Sequence, residues 1–161
     1  MKIAIGSDHG GYGLKRQIVE NFKDAEFLDV GCDSPESCDY PDYADAVAEA
    51  VALGNADFGV LVCTTGMGVT MTANRFQNVR AALCRDAEDA RIARAHNGAN
   101  VLCLGQSRTS PAVADEILKV FVSTPLDDAE RHARRRMKLE RARRLSDFSV
   151  SSCRTCALIA A

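Results

Sequence analysis

The regular alternation of short apolar runs with longer amphipathic segments constrains the fold of this chain more than any other feature. The short runs are rich in β-branched residues and have the length of strands, and the segments between them repeat apolar residues at helical spacing. Strands that alternate with helices pair in parallel through crossovers. We therefore predict an α/β fold, a three-layer, doubly wound, Rossmann-like sandwich with a five-stranded parallel sheet. The predicted strands are Lys2–Gly6, Phe27–Val30, Phe58–Cys63, Val79–Cys84 and Val101–Gly105.

The length of the chain allows one domain and a tail. With 161 residues, 47% of them hydrophobic, the chain can bury one core but not two. Pro125 precedes a last, basic helix that we predict to run to about Leu145. We predict a single domain over residues 1–145, followed over 146–161 by a tail that is either disordered or docked on a partner subunit. The other helical patterns cover residues 14–22, 44–51, 87–95 and 113–121.

The apolar runs and the cysteines indicate an intracellular setting. No apolar run approaches the roughly 20 residues of a membrane span, and the chain starts with a predicted strand rather than a signal segment, so we predict a soluble, cytoplasmic protein with no membrane partner. Cys63, Cys84 and Cys103 lie in or beside apolar runs, as buried reduced thiols do. Cys153 and Cys156 form a C-x-x-C pair without a second pair or a nearby histidine, so we predict no metal site there.

Positive charge is concentrated near the end of the chain. The formal net charge is −2, but segment 131–144 holds seven arginines, one lysine and one glutamate, so the remainder carries −9. This acidic remainder and the scarcity of aromatic residues argue against nucleic-acid binding and favour a small anionic ligand. Arg131 and Arg135 stand four residues apart on a predicted helix and suit one phosphate, although a solvated basic face explains them equally well. We assign to the solvated face Arg134, Arg136, Arg141, Arg143 and Arg144.

Three loops follow the predicted strands and mark the expected ligand site. In doubly wound sheets, ligands bind beyond the carboxyl ends of the strands, where loops enter helices. The loops are Ser7–Gly11, Cys63–Gly68 and Gly105–Arg108. The second contains a G-x-G, but Met71 replaces the third glycine of a dinucleotide-binding loop, so we predict no nucleotide cofactor. Its glycines instead allow backbone N–H groups to approach a phosphate or a developing enediolate oxygen.

Cys63 is the candidate base in the second loop. Unpaired N–H groups at a helix start, and the hydroxyls of the two threonines that follow, would stabilise its thiolate. Taken alone, a cysteine at a strand end is more often structural, and His96, near a helix end, would usually cap carbonyl groups. Asp8 and His9 lie at the end of a neighbouring predicted strand. If the fold brings His96 to this edge, these four side chains form an acid–base constellation.

Six short motifs occur in order along residues 1 to 140. They are Gly6-Ser7-Asp8-His9-Gly10, Asp39-Tyr40-Pro41-Asp42-Tyr43, Cys63-Thr64-Thr65-Gly66-Met67-Gly68, Ala73-Asn74, His96-Asn97 and Arg131-His132. Together they resemble the type B ribose-5-phosphate isomerase family, which includes the galactose-6-phosphate isomerase subunits. The ordered set is far more specific than any one motif, but the resemblance does not cover the tail.

The resemblance implies an enzyme that interconverts ribose 5-phosphate and ribulose 5-phosphate, a step of the pentose phosphate pathway. The reaction would pass through a cis-enediolate, without a metal or an organic cofactor. Cys63 would be the base that moves a proton between two carbons, Thr65 would help to polarise the site, and His96 would open the furanose ring. Val69–Thr72, where some family members have a carboxylate base, contains no carboxylate, which favours Cys63.

The resemblance also implies a set of substrate contacts. Asp8 would hold sugar hydroxyls, Asn97 would position the substrate, and the loop N–H groups would stabilise the enediolate. His9 and the two spaced arginines would bind the phosphate, in sites that two subunits of a homodimer, or of a tetramer of such dimers, build together. The implied substrate-binding residues are Asp8, His9, Tyr43, Thr64, Gly66, Met67, Gly68, Asn97, Arg108, Arg131 and Arg135.

Two positions depart from the family pattern. The segment Gly105–Arg108 is one residue longer than usual, which leaves open whether Arg108 reaches the phosphate. Thr64 stands where the family often has glycine, so the backbone there has less freedom.

The sequence leaves the substrate open. Allose 6-phosphate, galactose 6-phosphate and a four-carbon sugar phosphate are alternatives, and a non-catalytic sugar-phosphate sensor would use the same loops. Binding alone needs neither a base nor a ring-opening group, so the presence of Cys63, Thr65 and His96 favours an enzyme.

Overall fold

A computed structural model describes residues 1–140 and shows one five-stranded parallel sheet, in the order β2-β1-β3-β5-β4. The strands are β1 Lys2–Ser7, β2 Glu26–Asp29, β3 Phe58–Cys63, β4 Ala81–Leu83 and β5 Val101–Gly105. All five predicted strands are therefore confirmed. The helices are α1 Tyr12–Asn21, α2 Tyr40–Ala52, α3 Met67–Ala73, α4 Ala87–Ala95, α5 Pro111–Ser123 and α6 Glu130–Leu139.

Alternate residues of the strands supply two hydrophobic clusters, one on each face of the sheet. Ile3 and Ile5 of β1 belong to the cluster that α1, α4 and α5 cover, whereas Ala4 belongs to the cluster under α2 and α3. In β3, Val60 belongs to the first cluster and Leu61 to the second. The side chains of these five strand residues are all buried. The alternation follows from the two-residue period of a strand. The predicted three-layer sandwich is thus confirmed.

Strand β4 is shorter than predicted because side-chain amides bond to the backbone at its start. Asn100 Oδ1 accepts a hydrogen bond from Arg80 N at 2.8 Å, and Asn74 Oδ1 accepts one from Ala81 N at 2.9 Å. Asn74 Nδ2 also donates to Ala81 O at 2.8 Å. Amide side chains can thus satisfy polar groups on an edge strand in place of a further strand.

The basic helix predicted to run to about Leu145 is described only in part, as α6. Helix α6 ends at Leu139, and Glu140 forms its C-cap. The rest of that predicted helix up to Leu145, the tail 146–161 and the Cys153–Cys156 pair lie outside the described residues. Among residues 1–140, no helix has both the length and the hydropathy of a membrane span.

The two ends of the parallel sheet along the strand direction differ chemically, and we call them the carboxyl edge and the amino edge. All strands pair in parallel, so their carboxyl ends share one edge and their amino ends the other. Each crossover helix carries the chain back from the carboxyl edge to the amino edge. Helix α4, for example, begins after β4 and ends shortly before β5. A residue just after a strand and a residue at the end of a crossover helix therefore lie at opposite edges.

Candidate active site

At the carboxyl edge, the loop after β3 folds a backbone N–H onto Cys63. The Cys63 side chain is largely buried, and its Sγ accepts a hydrogen bond from Gly66 N at 3.0 Å. Gly66 has φ +78°, a left-handed conformation that a side chain would strain, and an added Cβ would lie 2.4 Å from Leu83 Cδ1. The sulfur therefore has a backbone donor in place at the start of α3.

Two further glycines let neighbouring segments clamp this loop. A Cβ on Gly11 would lie 2.9 Å from Cys63 N, and one on Gly105 would lie 2.7 Å from Thr65 O. Gln106 N donates to Cys63 O at 2.9 Å. The loop is therefore held between the start of α1 and the end of β5, which fixes the position of the cysteine.

Asp8 and Thr64 meet beside the cysteine loop. Asp8 is 7% exposed, and its Oδ1 accepts a hydrogen bond from Gly11 N at 3.0 Å. A Cβ on Gly10 would lie 2.2 Å from Thr64 Oγ1 and 3.3 Å from Asp8 Oδ1, so a carboxylate and a hydroxyl flank the same glycine. Sequence reasoning placed these residues on neighbouring strand ends, and the structure brings them together.

His9 and Tyr43 lie on the same edge, against the connection between β2 and α2. His9 Nδ1 is 3.2 Å from both the N and the O of Cys38, so its tautomer decides whether it accepts or donates. A hydrogen bond with the Cys38 thiol raises the pKa of Tyr43, which keeps the phenol protonated and able to donate. The Tyr43 ring packs against Gly31, where an added Cβ would lie 2.5 Å from Cε1.

The remaining predicted residues of this edge line the cysteine loop. Thr65 and Met67 are exposed, and Met67 N lies 3.4 Å from Thr65 Oγ1. Gly68 lies against the ring of Tyr40. Arg108, which is also exposed, shares with Thr65 and Met67 a small cavity of about 30 Å³. Arg108 therefore reaches the edge that carries Cys63.

A second cluster lies at the amino edge, where α6 packs on the end of α4. The imidazole of His96 stacks on that of His132, with ring centroids 4.1 Å apart and an interplanar angle of 9°. His132 is 5% exposed, and Arg131 Nε donates to its Nε2 at 3.0 Å. Asp127 Oδ2 lies 3.9 Å from His96 Nε2 and 3.6 Å from His132 Nε2. Exposed side chains of Asn97 and Arg135 belong to the same two segments.

Arg136 binds the end of α4 and does not belong to the solvated face predicted for it. Its guanidinium donates to Ala95 O, His96 O and Asp127 O at 3.3, 3.4 and 3.2 Å. The carbonyl groups at a helix end lack intrahelical partners, and a cation near them is favourable. The assignment of Arg134 to the solvated face is confirmed because it is exposed. The other arginines of that set, Arg141, Arg143 and Arg144, lie outside the described residues.

The amino-edge cluster combines an ionised carboxylate with a neutral imidazole. The Ala129 N–H bond lowers the pKa of Asp127, as do the nearby His132 and His96. Burial lowers the pKa of His132, and the charges of His96 and Arg131 lower it further, while Asp127 opposes this. Sequence reasoning missed Asp127 and used His132 only as part of a motif. No periodic pattern marks the connection that carries Asp127.

The same cluster is the one group in residues 1–140 with metal-ligand spacing. The ligand atoms of His96, Asp127 and His132 all lie within 4.8 Å of one another. However, Arg131 donates to His132 Nε2, the atom whose lone pair a cation would need, and adds a positive charge beside it. The donor set fits proton handling better than metal binding.

One chain does not bring the two clusters together. Cys63 pairs with Gly105 at the carboxyl edge, whereas His96 precedes Val101, which pairs with Gly59. Cys63 lies four residue steps beyond Gly59 along β3, which is about 13 Å. The condition set for the constellation, that the fold bring His96 to the edge of Cys63, Asp8 and His9, is therefore not met within one chain. His96, Asn97, Arg131 and Arg135 lie at the opposite edge.

A family model described as Ribose/Galactose Isomerase matches residues 3–139. The chain belongs to this family. Ribose-5-phosphate isomerase B of Escherichia coli is 40% identical over 141 residues, which cover 86% of this chain and 92% of that protein. The resemblance expected from the six motifs is confirmed, and this member of the ribose/galactose isomerase family is an enzyme of the isomerase class.

Solved structures of the ribose/galactose isomerase family share the fold. Ribose-5-phosphate isomerase B of Clostridium thermocellum has a TM-score of 0.84 at 42% identity, covering 87% of this chain and 95% of that one. Type B ribose 5-phosphate isomerase of Trypanosoma brucei has a TM-score of 0.81 at 45% identity, covering 86% and 96%.

Gly11, the N-cap of α1, and Gly13, in its first turn, test whether the clamp on the cysteine loop is needed for stability. Gly11→Ala would place a Cβ 2.3 Å from Val62 O, a backbone atom that cannot swing away. We expect it to lower the free energy of unfolding in urea by at least ~2 kcal/mol. Gly13→Ala meets only the Gln106 side chain, at 3.2 Å, and should change it by less than about 1 kcal/mol. Equal losses in the two variants would contradict the clamp.

The buried His132 should make stability depend on pH. Its pKa is lowered in the folded protein, so on acidification the unfolded chain takes up the proton first, near pH ~6.5. We therefore expect the free energy of unfolding to fall as the pH falls from about 7 to 5. His132→Phe keeps a planar ring for stacking and should flatten this slope. An unchanged slope in the variant would show that His132 is not its source.

Proposed function

We propose that this protein interconverts ribose 5-phosphate and ribulose 5-phosphate. The observation that carries the proposal is the Gly66 N–H bond to Cys63 Sγ, which places a backbone donor on the sulfur of the proposed base in a chain of this family. The similarity to proteins named ribose-5-phosphate isomerase B supports the choice of substrate.

In the proposed reaction, the Cys63 thiolate removes the proton from C2 of the open-chain aldose. The electron pair of that C–H bond forms the C1–C2 double bond, and the carbonyl oxygen becomes an enediolate oxygen. A proton passes from the C2 hydroxyl to the former carbonyl oxygen, and return of the carbon-bound proton to C1 leaves a carbonyl at C2, which gives the ketose. Loop N–H groups from Thr64 to Gly68 and the Thr65 hydroxyl stabilise the developing charge. Asp8 and Tyr43, on the same edge, hold the sugar hydroxyls.

The other half of the proposed site comes from a second copy of the chain. Ribose 5-phosphate is mostly a closed furanose, so a ring-opening group is needed, and His96 takes that role with Asn97 positioning the sugar. Arg131 and Arg135 lie in the same cluster and bind the phosphate. All four lie at the amino edge, away from Cys63. A homodimer, alone or paired into a tetramer, supplies both edges to one substrate.

The surface beside the cysteine loop supports this assembly. Tyr40, Met67 and Met71 are exposed by 38, 52 and 67%. Apolar side chains grouped next to a half-formed site are typical of an interface. His9 and Arg108 contribute to phosphate binding from this edge, opposite the partner's two arginines.

Six-carbon sugar phosphates are the second candidates because the family description also names galactose. A panel of aldose phosphates, compared by kcat/KM, decides between them. We expect ribose 5-phosphate to be preferred over allose 6-phosphate and galactose 6-phosphate. A preference for a six-carbon phosphate would contradict the proposed substrate but not the reaction. Isomerisation of none of them would contradict both.

Substitution of two cysteines tests the base. Cys63→Ala should reduce the exchange of the substrate C2 proton with deuterated water by at least ~100-fold, because no other base is placed in the loop. Phosphate binding, measured by calorimetry with a non-isomerisable sugar phosphate, should persist. Cys84→Ala is the control, since burial raises the pKa of that thiol to about 12 and keeps it protonated. Undiminished exchange in Cys63→Ala would remove Cys63 as the base.

A further inference from the structure

The amino-edge cluster contains a carboxylate that the proposed reaction does not yet use. Asp127 lies in the connection before α6, and its side chain is one-third exposed. Its Oδ2 is the carboxylate oxygen near both imidazoles, at 3.9 Å from His96 Nε2 and 3.6 Å from His132 Nε2. A charge at these distances acts on the proton equilibrium of a histidine.

The backbone holds Asp127 firmly in this position. Asp127 N donates to Ala95 O at 2.9 Å, which docks the connection on the end of α4. Its Oδ1 accepts a hydrogen bond from Ala129 N at 2.7 Å, which leaves Oδ2 to face the rings. Arg136 donates to the carbonyl oxygens of both Asp127 and His96 and ties the two segments together.

Of the two histidines, only His96 can donate a hydrogen bond to Asp127 Oδ2, because His132 Nε2 already accepts one. Arg131 Nε donates to His132 Nε2, so that nitrogen accepts and has no proton for Asp127. His96 Nε2 is the other nitrogen within reach. Its 3.9 Å separation from Asp127 Oδ2 exceeds a hydrogen bond, and we expect a small rotation of either side chain to close it when substrate binds.

Among the described charged side chains near His96, Asp127 supplies the negative charge. Arg131, Arg135 and Arg136 of α6 add positive charge, which opposes protonation of an imidazole. The pKa of Glu88, two turns earlier on α4, is lowered mainly by its hydrogen bond with Arg91, and His96 adds the smallest effect. Asp127 is the described carboxylate with an oxygen within 4 Å of His96. It therefore offsets the arginines that the phosphate requires.

We propose that Asp127 is a positioning residue that holds a proton on Nε2 of His96 and stabilises its imidazolium during ring opening. The inference rests on the proposed function. With the proton held on Nε2, Nδ1 of His96 takes the proton of the anomeric hydroxyl as the C1 carbonyl forms, and the bond between C1 and the ring oxygen breaks with its electron pair moving to that oxygen. Nδ1 then gives its proton to the ring oxygen, which returns His96 to its neutral form. His132 keeps the ring plane fixed by stacking.

The two directions of the reaction separate ring opening from proton transfer. Ribose 5-phosphate enters as a furanose, but ribulose 5-phosphate cannot form one, because its C5 oxygen carries the phosphate. Asp127→Asn keeps the size and the Oδ1 acceptor for Ala129 N but removes the charge. We expect it to lower kcat/KM for ribose 5-phosphate by about 10- to 100-fold. Exchange of the C1 proton of ribulose 5-phosphate with deuterated water should change by less than about twofold.

Asp128→Asn is the matched control, because Asp128 is the exposed neighbouring carboxylate, and it should leave both rates unchanged. Asp127→Glu should restore part of the loss. Equal loss of both rates in Asp127→Asn would indicate a merely structural role and overturn the inference. No loss of either rate would overturn it as well.

A spectroscopic measurement decides the inference without relying on activity. Nitrogen-15 NMR of the full chain should show His96 with its proton on Nε2 at neutral pH, and Asp127→Asn should shift the tautomer towards Nδ1–H. An unchanged tautomer would overturn the role of Asp127 even if the enzyme is active. If the wild-type chain isomerises no sugar phosphate, the proposed function fails, and this NMR comparison still decides whether Asp127 controls His96.

Discussion

The polarity of the parallel sheet is the constraint on which the rest of the structure depends. Parallel strands place every strand-to-helix loop at one edge, and every crossover helix returns the chain to the other edge. Cys63 ends strand β3 and His96 is the C-cap of helix α4, so the topology separates them within one chain. A reaction that needs both groups at one substrate must therefore use two copies of the chain. Under the proposed function, a dimer is needed for catalysis and not for stability alone.

The two edges hold their candidate site residues in place by different means. At the carboxyl edge, glycines allow segments to approach so closely that a backbone N–H reaches the sulfur of Cys63. At the amino edge, a carboxylate oxygen of Asp127 lies near His96, whose ring stacks on that of His132. Backbone donors are fixed by the fold, whereas side-chain clusters are fixed by helix docking. We expect the first edge to be the more rigid of the two.

The sequence predicts the fold well because its signals are local. Apolar runs and helical periodicity mark all five strands, and the cysteine loop is recognisable from its glycines. The shortening of β4 is not predictable in this way, since it depends on Asn74 and Asn100 reaching the backbone of the strand. The true partners of Arg136 are carbonyl groups at the end of a helix far away in the sequence. Nothing in its arginine-rich surroundings distinguishes it from a solvated neighbour.

The sequence predicts which residues belong to the candidate site, but it does not predict where they lie relative to one another. The motifs name Cys63 and His96, and only the topology shows that one chain holds them apart. Asp127 escapes sequence reasoning because its role depends on a carboxylate oxygen facing two rings from different segments.

Subunit complementation tests the shared site most directly. Cys63→Ala and His96→Ala chains, carrying different tags, are co-expressed, and the mixed dimer is purified. One of its two sites is then intact and the other lacks both groups. Two-fold symmetry predicts that the mixed dimer regains about half of the wild-type kcat while each parent stays inactive. A mixed dimer as inactive as its parents would contradict an active site built from two chains.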